Sequence, residues 1–184
     1  MAQLIYMANY ITASRILLIF PVLYLISDQN DNRNWIALAL FITAGLTDHL
    51  DGYVARKTKT ESSLGGLLDL IADKLLICIP LFYLITFSGN KELLIPALII
   101  ISRELIISSF RQFLVENLGS NPIKVSFLAK SKTTVQITAL SFLIVSPNFE
   151  ETFFKFTVFF FWLAAYISLH SLYTYFKAYK NLIK

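Results

Sequence analysis

"DHLDGYVARKTKTESSLGGLLDLIAD", residues 48–73, places four aspartates in a chain that is 56% hydrophobic and only 15% charged. With a mean hydropathy of +0.63 over 184 residues, the chain is too apolar for an ordinary soluble domain and reads as an integral membrane protein. A charged side chain at the centre of a spanning helix costs about 2.5–3.5 kcal/mol when it meets lipid. The four acids must therefore face a wet cavity or a cation. Successive helical residues turn by about 100°, so Asp48 and Asp51, three apart, share one helical face, and Asp69 and Asp73, four apart, share another. Two such faces on helices joined by a short polar link bring the carboxylates together. Gly52 and Ala55 continue the first face and Gly65 the second, which leaves backbone open beside the acids.

Outward from this stretch, long apolar segments recur at roughly 10–27, 35–55, 67–88, 92–116, 125–146 and 152–176, most of them near the ~20 residues that cross a bilayer as helix. The expected architecture is all-α, six transmembrane helices in a single membrane domain over residues 1–184, since no repeat, linker or compositional shift marks a second one. Arg15 near the start of the first segment, with no small-residue cleavage site after it, reads as part of a retained helix and not a signal peptide. The start, "MAQLIYMA", reads as a short amphipathic N-terminal segment along the interface.

Charge sets the orientation. The connections at 28–34, 88–92 and 147–151 carry only Arg33 and Lys91 as cations, whereas the others carry Arg56, Lys57, Lys59, Lys124, Lys130 and Lys132. The positive-inside rule puts the second set in the cytoplasm, together with Arg15, Lys177, Lys180 and Lys184 and hence both termini. The net charge of +4 is then topology plus attraction to anionic headgroups, and no nucleic acid is implied. Lone Cys78 cannot form an intrachain disulfide, and His49 and His170 lack a second ligand at zinc spacing.

Clustered carboxylates are oxygen-only ligands, which suit a hard divalent cation. The structural alternative is an interfacial ion network with Arg56, Lys57 and Lys74. Further along, Arg103 and Arg111, eight apart, lie on roughly one face of the fourth segment, and Lys130 and Lys132 open the fifth. Four cations near one surface make an anion pocket for a phosphorylated molecule. Anchoring by the lysines and salt bridges from the arginines to Glu104 or Glu116 are the alternative.

The string Asp48-x-x-Asp51-Gly52-x-x-Ala55-Arg56, eight residues, then Gly65-x-x-x-Asp69-x-x-x-Asp73 resembles the complete signature of the CDP-alcohol phosphatidyltransferases. "NYITASRILLIFP" at 9–21, "SRELIISSFR" at 102–111 and "KSKTTVQ" at 130–136 are similar to the phosphatidylglycerophosphate synthase branch of that family, with Ala129 where the branch would carry glycine. The resemblance implies transfer of a phosphatidyl group from CDP-diacylglycerol to an acceptor alcohol with release of CMP. It implies two divalent cations, Mg2+ or Mn2+, on Asp48, Asp51, Asp69 and Asp73, with Asp73 also taking the acceptor's proton. Gly52, Ala55, Arg56 and Gly65 would meet the donor, and Arg103, Arg111, Lys130 and Lys132 the phosphate of glycerol 3-phosphate. It further implies a homodimer in the bacterial inner membrane with a cytoplasmic active site. Charge alone leaves inositol phosphate, or phosphatidylglycerol as in a cardiolipin synthase, open as acceptors. A metal-ion transporter would also hold acids in its spans, but near the midplane on broken helices and without a reason for the phosphate-binding cations.

Overall fold

The computed structural model describes residues 2–27, 30–58, 63–118 and 127–183. In chain order the described helices are α1 Ala2–Ser27, α2 Asp31–Thr58, α3 Ser63–Ser88, α4 Leu94–Leu118, α5 Phe127–Val145 and α6 Glu151–Ile183. Short 3-10 turns at Lys91–Leu93 and Ser146–Asn148 precede α4 and follow α5, and no strand occurs among the described residues. Among the described residues three stretches are long and apolar enough to cross a membrane, Gly65–Phe87, Lys91–Asn117 and Glu151–Asn181, and Thr12–Ser27 is a shorter apolar run. The expected N-terminal segment is not set off from the first helix: α1 runs unbroken from Ala2, and residues 2–20 hold neither glycine nor proline to interrupt it.

The helix ends follow from local chemistry. Asn30 starts α2, its side-chain Oδ1 accepting from the Asn32 backbone N–H at 3.1 Å and its carbonyl from Arg33 and Asn34 at 2.9 and 3.0 Å. After α3 the chain turns at Gly89 with φ 64°, a left-handed conformation that glycine enters without steric cost. Hydroxyls inside the helices bond back to the carbonyl four residues earlier, as in Thr43 to Ala39, Thr86 to Phe82 and Thr157 to Phe153. Such bonds satisfy a polar group where water is scarce.

Helix α1 packs on α2 and α3, α5 on α2, α3 and α6, and α4 on α6. Ala37 and Ala44 of α2, Ala139 of α5 and Ala164 and Ala165 of α6 are buried among Val22, Phe41, Leu81, Ile100, Leu140, Ile144 and Phe161. Small residues at crossings let apolar helices approach closely, which matters because lipid competes equally for apolar contact. Large apolar side chains point outward instead, among them Leu17, Phe20, Phe82, Phe87, Leu98, Phe159 and Tyr166. At one end the Asn34 amide donates to Asn148 Oδ1 at 2.6 Å, and the Asn148 amide donates to the Asp31 carbonyl at 2.8 Å. Trp35 meets Phe149 edge-on beside them. Residues 30–34 and the connection at 147–151 thus lie together, and α3, α4 and α5 carry their charged groups more than about two helical turns away from that end.

Candidate active site

A cavity of 590 Å³ opens between α3, α4 and α5, with Gly45 of α2 on its wall. Helical period places its lining. Arg103, Ile107 and Arg111 stack at four-residue intervals along α4, with Glu104, Ser108 and Gln112 beside them. Asp73 and Lys74 come from α3 and Lys132 from α5, and the rest of the wall is mostly apolar, including Leu67, Leu70, Leu76, Ile77, Val115 and Ile137. Four cations face two carboxylates over an apolar floor, which suits an anionic molecule that also carries hydrocarbon.

Asp73 is the best-exposed acid of this wall, its side chain 51% accessible. Arg15 of α1 is fully buried behind it and brings Nη1 to 3.4 Å from Asp73 Oδ1. The sequence reading of Arg15, as part of a retained helix on the cytoplasmic side, gave it no place in the site. The signal that would have found its role is the one applied to the acids: a charge inside an apolar segment needs a partner. Lys74, weighed as a partner for the acids, donates to the Leu70 carbonyl at 3.0 Å.

On the facing side Glu104 is the hub. Its Oε1 accepts from Lys132 Nζ, from Arg103 Nη1 at 3.3 Å and from Gln136 Nε2 at 3.4 Å. Arg103 Nη2 also donates to Ser171 Oγ at 2.8 Å, and Gln136 Nε2 to Ser168 Oγ at 3.1 Å. One polar network therefore ties α4, α5 and α6. Satisfying each buried charge this way avoids the several kcal/mol that an unpaired one costs, by about 3–5 when a partner is removed. The salt bridge to Glu104 thus exists for Arg103. It does not for Arg111, which lies over the Tyr175 ring at 5.7 Å, while Glu116 accepts from Gln112 at 3.0 Å. The Nε atoms of Arg103 and Arg111 and Oε1 of Gln136 are buried without a hydrogen-bond partner among the described residues, as polar atoms around a ligand site often are. The network's members Gln136, Ser168 and Ser171 were missed in the sequence, although two serines three apart within an aromatic helix mark an inward polar stripe.

Of the residues singled out in the sequence, Asp73, Arg103, Arg111 and Lys132 share the cavity. Gly65 is half-buried on α3 and is not part of the wall. Asp48, Asp51, Gly52, Ala55 and Arg56 on α2, Asp69 on α3 and Lys130 on α5 have helical backbone, but their side chains and surroundings lie outside the described residues.

The sequence model of the CDP-alcohol phosphatidyltransferase family matches residues 5–170, a span that takes in α1 through most of α6. The chain is 36% identical over 175 residues, 94% of each chain, to the CDP-diacylglycerol–glycerol-3-phosphate 3-phosphatidyltransferase of Rickettsia bellii (strain RML369-C). It is 37% identical over 175 residues, again 94% of each chain, to the enzyme of that name from Rickettsia prowazekii (strain Madrid E). With the enzyme of that name from Haemophilus influenzae (strain ATCC 51907 / DSM 11121 / KW20 / Rd) it shares 39% identity over 118 residues, 64% of each chain. A helical membrane architecture, an acid on α3 facing a cationic wall and a match along nearly the whole chain agree: this protein belongs to the CDP-alcohol phosphatidyltransferase family.

Proposed function

We propose that this protein transfers the phosphatidyl group of CDP-diacylglycerol to glycerol 3-phosphate, giving phosphatidylglycerophosphate and CMP. The observation that carries this reading is that Asp73, Arg103, Arg111 and Lys132 line one cavity, so that a proton acceptor and a phosphate-binding wall share the space an acceptor would enter. The names of the relatives state the same donor and acceptor.

The acids fit a hard divalent cation. Helix α2 is continuous through Asp48 and Asp51, and α3 through Asp69 and Asp73, so each pair shares a helical face. The four carboxylates would hold two such ions, Mg2+ or Mn2+, whose charge would offset that of the donor's pyrophosphate. Gly52, Ala55 and Gly65 leave room for cytidine and its phosphates near backbone, and Arg56 reaches a phosphate oxygen. Arg103, Arg111, Lys130 and Lys132 hold the acceptor's phosphate and so aim its hydroxyl. Asp73 takes the hydroxyl proton on a carboxylate oxygen while the hydroxyl oxygen bonds to the phosphatidyl phosphorus. The phosphorus–oxygen bond to CMP breaks, and CMP leaves with the bonding pair. Arg15 keeps the Asp73 carboxylate directed at the cavity.

The chain forms one domain over residues 1–184 with six spans in a bacterial inner membrane, a homodimer with both termini and the site in the cytoplasm. The pairing of Asn34 with Asn148 at 2.6 Å, away from the cationic wall, supports putting the connections at 28–34 and 147–151 outside. A cysteine at Asn90 should react with an impermeant thiol reagent applied to intact cells, whereas one at Ser62 should not; labelling at Ser62 would put the site on the wrong face.

The deciding assay offers purified protein CDP-diacylglycerol with glycerol 3-phosphate, inositol phosphate, phosphatidylglycerol and serine in competition, with and without added Mg2+ or Mn2+. Metal-dependent release of CMP with glycerol 3-phosphate as the preferred acceptor is expected. Preference for serine, which has no phosphate, would remove the assignment of the cationic wall.

A further inference from the structure

Glu104 is a carboxylate in the middle of a wall meant for an anion. Its side chain is 14% exposed and lines the cavity. Its Oε1 engages Lys132 and Arg103 at once, which are two of the three described cations that would hold the acceptor's phosphate. The third, Arg111, has no carboxylate partner among the described residues and packs on Tyr175. Two of the groups that Glu104 meets have partners besides it. Arg103 is anchored independently by Ser171 at 2.8 Å and Gln136 by Ser168 at 3.1 Å, so α4 and α5 stay tied to α6 without its charge.

We infer that Glu104 is a built-in counter-anion of the acceptor pocket that competes with the acceptor's phosphate for Arg103 and Lys132; this rests on the function proposed above. Without Glu104 the wall would set Lys74, Arg103, Arg111 and Lys132 against Asp73 alone and would hold any small anion. With Glu104 in place, a ligand gains from Arg103 and Lys132 only in so far as its oxygens replace the carboxylate's contacts, and Arg111 gives it a first hold. The same competition eases release of the product, which carries the acceptor's phosphate away with it.

The test uses the full chain in detergent and measures equilibrium binding of glycerol 3-phosphate and of inorganic phosphate, alongside the KM for glycerol 3-phosphate. In Glu104→Gln the amide oxygen still accepts from Lys132 but the charge is gone. Both anions should bind about three- to tenfold more tightly, by the loss of one like charge at close range, and KM should fall in step. Glu104→Asp keeps the charge one methylene further back and should shift both affinities the same way by a smaller factor, so it also decides the matter if the Gln variant does not fold. Unchanged or weaker binding in whichever of these variants folds would overturn the inference, and Glu104 would then be a structural tie only. A wild-type protein with no turnover on glycerol 3-phosphate would instead defeat the proposed function, so the two failures are told apart.

Discussion

The amide end and the charged half of the bundle both bury polar groups, but they treat them differently. At the amide end Asn34 is 1% exposed, and Asn34, Asn148 and the Asp31 carbonyl form a closed set in which each donor meets an acceptor at 2.6–2.8 Å. In the charged half three donors crowd one oxygen of Glu104, and Arg103 and Arg111 each leave a buried Nε without a partner among the described residues. A closed network has nothing left to offer a ligand and serves to hold helices together. An open one, with charge and unmet hydrogen bonds lining a cavity, is what a binding site looks like before its ligand arrives.

Substitutions in the two regions should therefore fail in different ways. The largest effect is expected at Asp73. Asp73→Asn keeps the shape and loses the proton acceptor, and turnover should drop by roughly 10²–10⁴, the range for a general base, while CDP-diacylglycerol still binds. Near-normal turnover would remove Asp73 from the chemistry and leave it as a partner of Arg15.

Arg111→Ala comes next. Arg111 lines the wall and packs on Tyr175, with no carboxylate partner among the described residues. Its loss should raise the KM for glycerol 3-phosphate by about tenfold to a hundredfold, since a charge-assisted contact contributes about 1.5–3 kcal/mol. The KM for CDP-diacylglycerol should change little. Equal losses for both substrates would mean that Arg111 supports the fold through Tyr175 and does not bind the acceptor.

The smallest effect belongs to the amide end. Asn34→Ala leaves the Asn148 carbonyl oxygen without its donor, and the protein should lose about 1–3 kcal/mol of stability, seen as a lower unfolding temperature in detergent with both KM values unchanged. A KM shift in that variant would blur the division between a structural end and a functional half.

The sequence by itself determined the class and the acids. Periodicity is a local property, so the shared faces of Asp48 with Asp51 and of Asp69 with Asp73 follow from helical spacing alone, and an apolar composition leaves helices as the way to satisfy backbone in lipid. The helix bounds follow less well: the apolar segments at 35–55 and 152–176 lie inside the longer α2 and α6, because a helix continues into polar flanks that hydropathy does not count. The tertiary structure decided which charges meet. Arg15 and Asp73 are 58 residues apart in the chain and Arg103 and Ser171 are 68 apart, and no spacing rule reaches that far. Whether Glu104 would pair with Arg103, and Arg111 be left over an aromatic ring, depended on how α4 is turned against α5 and α6. That rotation is set by side-chain packing across the crossings, a sum over many weak contacts that no single stretch of the chain encodes.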